Sequence, residues 1–92
     1  MNRCIRAIIY GHVQGVYFRY HTRKEATRLN LTGWVANRID GTVEVVAEGP
    51  ENALREMIRF LHQGSPGARV ERVEVTWQAT SGEFNEFSVI RL

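Results

Sequence analysis

The stretch Gly11-His12-Val13-Gln14-Gly15-Val16-Tyr17-Phe18-Arg19 combines two glycines, four apart, with an arginine. A β-branched, apolar run precedes it (Ile5, Ile8, Ile9), and a helical pattern follows it. Glycine takes positive φ freely, so this pair at a strand-to-helix junction allows a loop whose successive N–H groups turn toward one point. Those donors, with the positive end of the next helix, make a seat for an anion. Arg19 adds a fixed fork of donors that suits the oxygens of a phosphate. The stretch lacks the Gly-Lys-Ser/Thr of the nucleotide P-loop and the third glycine of the dinucleotide fingerprint. On the loop alone, a connection that merely turns the chain is the favoured reading, because glycine is ordinary in loops.

The elements around it must come from a short chain. With 92 residues, one domain spanning 1–92 and a single core are expected. Twelve basic residues against ten acidic ones leave a formal charge of +2, which indicates a mixed-charge surface rather than a nucleic-acid face. The one cysteine, Cys4, cannot form an internal disulfide and suits a reducing compartment. It reads as a small hydrophobe of the first strand. No Cys-x-x-Cys or Cys/His cluster is present, so neither metal nor cofactor is expected. No apolar run is long enough to span a membrane, and the first residues do not read as a signal peptide. The expectation is a cytoplasmic monomer.

Residues 3–10 alternate, with Ile5, Ala7 and Ile9 on the face that should meet helices. From Phe18 the period changes. Phe18, Thr22, Ala26 and Leu29 recur at helical spacing, while Arg23, Lys24 and Arg28 point outward. Asn30 suits a left-handed helix end. Residues 33–48 read as a hairpin around Asp40-Gly41. A second helix carries Leu54, Met57, Ile58 and Leu61 and ends at Gly64, before a Ser65-Pro66-Gly67 loop. Val73, Val75 and Trp77 alternate in a fourth strand, with Val70 just before it, and Phe87 and Val89 alternate in a short last one. The order βαββαβ, with two helices on one face of an antiparallel sheet and a short extra C-terminal strand, is the α+β ferredoxin-like arrangement. That fold hosts many activities and names none.

Pattern alone leaves the hairpin register open. A two-residue turn puts Trp34 and Ala36 on the apolar face and sends Asn37 outward. A three-residue turn, with Gly41 in a bulge, puts Val35 and Asn37 inward. One residue of slip exchanges the two faces.

The loop and the segment Gly33-Trp34-Val35-Ala36-Asn37-Arg38-Ile39-Asp40-Gly41-Thr42-Val43-Glu44 together closely resemble the two signatures of the acylphosphatase family. They occur in the family's order, the likeness runs over essentially the whole chain, and Phe87-Ser88-Val89 looks like the family's ending. The resemblance implies metal-free hydrolysis of the carboxyl–phosphate bond of small acyl phosphates, with inorganic phosphate as product and inhibitor. It implies that Arg19 binds phosphate, that the backbone of Gly15, Val16, Tyr17 and Phe18 forms the cradle, and that Asn37 positions the attacking water. It therefore favours the longer turn. Tyr17 departs from the smaller or different aromatic residue often found there, which alters the rim without removing a needed group.

The chemistry suits those residue types. The leaving carboxylate has a pKa of roughly 4 to 5, so it departs without a general acid. The obstacle is the charge of the phosphoryl oxygens, which donors neutralise while a neutral amide holds water in line. Three alternatives are weighed against this. An RNA-binding module would use Tyr17, Phe18 and Tyr20, but these lie at a loop and helix start rather than on strands. A carbamoyl-phosphate-handling relative and a non-catalytic assembly protein share the fold. His12, His21 and His62 form no constellation, and Asp40 and Glu44 read as turn and polar-face residues.

Overall fold

A computed structural model describes residues 1–92. The alternating N-terminal residues form β1 (Asn2–His12), followed by α1 (Phe18–Arg28), β2 (Thr32–Asn37), β3 (Val43–Pro50), α2 (Glu51–Gln63), β4 (Arg69–Gln78) and β5 (Phe87–Val89). The sheet order is β4-β1-β3-β2-β5. β1 pairs antiparallel with both β3 and β4, and β2 pairs antiparallel with β3. The crossover through α1 makes β1 and β2 parallel, and β3 fills the gap between them. This is the ferredoxin-like order that the element pattern predicts. β5 adds parallel to β2 at the sheet edge, with Val35 opposite Val89.

One face of the sheet and both helices share the core. Ile5, Ala7, Ile9, Val35, Val43, Val45 and Ala47 meet Phe18, Ala26, Leu54, Met57 and Leu61, all buried. Each large aliphatic or aromatic side chain removed from water contributes about 1.5–3 kcal/mol, so this layer supplies most of what opposes chain entropy. Val70 lies out of phase with Val73 because the β1–β4 register shifts between Tyr10 and Gly11. The extra residue returns Val70 to the helix side, where it packs against the core. No helix is long and apolar enough to cross a membrane.

The hairpin takes the longer turn. Asn37 pairs with Val43, and the Arg38 N–H donates to the Thr42 carbonyl at 2.8 Å. The Gly41 N–H returns to the Arg38 carbonyl at 3.2 Å, with φ +91° at Gly41, a conformation that suits glycine. Asp40 Oδ1 accepts from the Thr42 N–H and hydroxyl at 3.0 and 2.6 Å, which closes the turn locally. Val35 and Asn37 therefore share the core side, while Trp34 is half-buried on the other.

On the helix-free face, buried Glu48 organises the connection between β4 and β5. Its carboxylate accepts from the Thr80 hydroxyl (2.7 Å), the Ser81 N–H and hydroxyl (2.9 and 2.6 Å) and the Gly82 N–H (3.1 Å). Burial alone pushes this carboxyl up. The donors of Ser81, Thr80 and Gly82 together outweigh it and bring the pKa down from 4.5 to about 2. The folded value lies below the unfolded one, so the stabilisation is present above the unfolded value and disappears as pH falls toward the folded one. Thermal melts should show a midpoint that drops as pH falls from about 4.5 toward about 2. Glu48→Gln should melt lower at neutral pH and lose that part of the acid dependence. A variant that keeps the full acid dependence would refute this assignment.

Candidate active site

The cleft begins with a backbone feature. β1 ends at His12, and the chain reaches α1 through a loop with φ +75° at Gly15 and φ +60° at Tyr17. Val16 and Phe18 keep negative φ, so the sign alternates along residues 15–18. Alternation of this kind turns neighbouring N–H groups to one side and forms a concave anion nest. None of the N–H groups of residues 15–18 donates to a backbone acceptor. Tyr17 caps α1 without a side-chain hydrogen bond, and no acidic residue occupies the first turn. The helix thus presents its positive end unneutralised. At Gly15 an added Cβ would meet nothing within 4 Å, so the space above the loop is open.

Arg19 and Asn37 reach this loop from different elements. Arg19 lies in the first turn of α1, and Asn37 ends β2. With Val13, Gly15, Tyr17, Phe18, Tyr20, Arg23 and Val89 they line one cleft of about 410 Å³. Arg19 makes no ion pair with any carboxylate of the chain, whereas Arg28 and Arg55 each have one and Arg38 has two. Asn37 Oδ1 is buried and has no hydrogen-bond partner. A buried acceptor without a partner is costly to the fold, and here it belongs to a residue of the cleft wall, which is a functional signal. The site therefore offers free peptide donors, a free guanidinium and a free amide oxygen together.

Two side chains fix the relation between loop and hairpin. The Gln14 side-chain amide spends both of its N–H bonds on the hairpin, donating to the Arg38 and Thr42 carbonyls at 2.8 and 2.9 Å. These carbonyls flank the turn next to Asn37. On the opposite face, buried Glu44 pairs with Arg6 and with Arg38, at 3.1 Å to the latter, and holds the end of β2 to β1. Below the loop, Phe18 is buried with its ring centroid 6.3 Å from that of Phe60.

Of the residues singled out in the sequence, Gly15, Tyr17, Phe18, Arg19 and Asn37 line the cleft. Val16 does not. Its side chain is half-buried against the core, and only its backbone belongs to the loop. Sequence reasoning did not find Tyr20, Arg23 and Val89 as lining residues. Arg23 follows Arg19 at helical spacing, which is a usable signal; Val89 arrives through the parallel pairing of β5, which leaves none. Cys4 is buried, and burial first, then the negative charge of Glu48, pushes its thiol up, so it is no nucleophile. No three His, Cys, Asp or Glu side chains converge as a metal-binding group.

The acylphosphatase family model matches residues 5–89. An acylphosphatase of Pelotomaculum thermopropionicum is 48% identical over 82 residues, which covers 89% of this chain and 89% of that protein. Among solved structures, an acylphosphatase from Bacillus subtilis superimposes with a TM-score of 0.93 at 43% identity, covering 98% of this chain and 99% of that one. One from Coxiella burnetii gives 0.91 at 37% identity, covering 97% and 93%. The fold, the two sequence signatures and these matches agree: the chain belongs to the acylphosphatase family, and it is a hydrolase acting on acyl phosphates.

Proposed function

We propose that the cleft hydrolyses the carboxyl–phosphate bond of small acyl phosphates by positioning and charge neutralisation alone. The observation that carries this reading is the meeting, in one cleft, of Arg19, the unpaired N–H groups of residues 15–18 and the unpartnered Asn37 Oδ1. In this reading the peptide donors and Arg19 grip the three phosphoryl oxygens and spread their charge. Asn37 accepts a hydrogen bond from a water molecule and aims its oxygen at phosphorus, in line with the bond to the carboxylate. A carboxylate in its place would add a second anion to the repulsion that the attack must overcome.

The step balances without an external acid. The water oxygen bonds to phosphorus, and the bond from phosphorus to the acyl oxygen breaks with its electron pair leaving on the carboxylate. One water proton stays on the new hydroxyl, and the other passes to a phosphoryl oxygen. The products are a carboxylate and dihydrogen phosphate. The leaving group is already a weak base, which supports a mechanism without metal or general acid. All the groups invoked come from one chain, which supports a monomer. The lone buried thiol supports a reducing, cytoplasmic setting. Tyr17 and Tyr20 sit at the start of α1 and not on the sheet, which counts against RNA stacking.

Acetyl or benzoyl phosphate hydrolysis tests the reading directly. Arg19→Ala should abolish turnover and inorganic-phosphate binding together. Asn37→Ala should lower kcat by about 10²–10³-fold, as when a positioned polar group is lost, with little change in the phosphate inhibition constant. Turnover at the parental rate by Asn37→Ala would remove it from the mechanism. Inorganic phosphate should inhibit competitively. Dialysis against a strong chelator should leave the rate unchanged, and a loss restored by a divalent cation would reject metal-independent chemistry.

A further inference from the structure

The loop that follows α2 contributes no residue to the cleft lining, yet it touches the anion nest. Ser65 is 3% exposed although Pro66 and Gly67 beside it are open to solvent. Its hydroxyl donates to the Val16 carbonyl at 2.8 Å, across 49 residues of sequence. The loop is closed on itself by the Ala68 N–H, which donates to the Ser65 carbonyl at 2.9 Å. It also lies hard against the nest. A Cβ added to Gly64 would fall 3.1 Å from Phe18 Cε2, and one added to Gly67 would fall 3.6 Å from Val16 Cβ.

The Val16 carbonyl belongs to the peptide unit whose N–H is that of Tyr17. In a planar trans peptide the C=O and N–H point in opposite directions. A hydroxyl that holds the carbonyl on the Ser65 side therefore turns the Tyr17 N–H away from Ser65. That same orientation accompanies a positive φ at Tyr17, whose left-handed conformation, φ 60° and ψ 24°, a residue with a Cβ disfavours. Rotation of this one peptide would return Tyr17 to negative φ and withdraw its N–H from the nest. The strain therefore pulls against the functional orientation, and the Ser65 hydrogen bond opposes it.

We propose that Ser65 is a positioning residue of the phosphate site: its hydroxyl latches the Val16–Tyr17 peptide in the strained orientation that aims the Tyr17 N–H at the substrate's phosphoryl group. The inference rests on the nest of residues 15–18 being the phosphate site. Ser65 touches no substrate. It acts through the peptide it holds.

The test is a double-mutant cycle read by the inorganic-phosphate inhibition constant and by kcat/KM for acetyl phosphate. Ser65→Ala should weaken phosphate binding by roughly threefold to tenfold, the range for loss of one buried hydrogen bond. Ser65→Thr, which keeps the hydroxyl, should restore most of it. In a Tyr17→Gly background the same Ser65→Ala change should cost less than about twofold, because glycine carries no penalty for positive φ. An unchanged constant in Ser65→Ala, or an equal loss in both backgrounds, would overturn the latch. The unmodified protein gives a second measurement should Ser65→Ala not fold. Phosphate titration should move the Tyr17 amide proton downfield more than those of α2, and an unmoved Tyr17 amide would overturn the inference. Arg19→Ala separates the two levels. Loss of phosphate binding there with none in Ser65→Ala rejects the latch alone, whereas intact binding in Arg19→Ala rejects the phosphate site itself.

Discussion

Peptide N–H groups left without partners are the constraint around which this chain is built. A folded protein satisfies nearly every backbone donor, and a segment that does not must be held open by its surroundings. Here the donors of residues 15–18 remain free at the mouth of α1. Neighbouring contacts keep them so. Phe18 anchors the start of the helix in the core, Gln14 ties the loop to the hairpin, and the Ser65 hydroxyl holds the Val16 carbonyl. The cost is visible in Tyr17, a bulky residue in a left-handed conformation.

The ferredoxin-like topology supplies the second half of the site. Because β1 and β2 both run antiparallel to the β3 strand between them, the loop leaving β1 and the end of β2 open at the same end of the sheet. The turn after β2 has the length that puts Asn37 on the helix side, in phase with Val35. On the reverse face the Arg6–Glu44–Arg38 network holds that strand end to β1, so the amide and the nest are set against one another by the rigid sheet. The proposed mechanism, which uses a directed water and no covalent nucleophile, requires precision of this kind. Hydrolysis of an acyl phosphate calls for neutralised charge and a directed water, and both are matters of geometry.

The buried charges divide in the same way. Glu44 and Glu48 both face away from the helices, and each is fully engaged, one by two guanidinium groups and the other by the donors of residues 80–82. Arg19 and Asn37 Oδ1, by contrast, are left without protein partners. Both glutamates are satisfied within the fold, whereas these two cleft residues present groups with no protein partner.

Much of this was legible in the residues alone, because periodicity reports burial. The alternation of Ile5, Ala7 and Ile9, the helical spacing of Phe18, Thr22 and Ala26, and the Asp40-Gly41 turn specify their elements locally, and their order yields the topology. The glycine pair and Arg19 allowed an anion seat, but the loop alone also read as a plain turn, and only the second signature tipped the reading toward phosphate. Pattern could not choose the face of Asn37, because one residue of register reverses it and both choices bury acceptable side chains. Nor could it find Ser65 beneath Val16, Gln14 across the hairpin, or Val89 in the cleft wall. Those contacts join residues far apart in sequence and leave no local period. The sequence by itself determined which groups are available for the chemistry; only the tertiary structure decided which of them stay unpaired and face one another, because that depends on how distant segments pack.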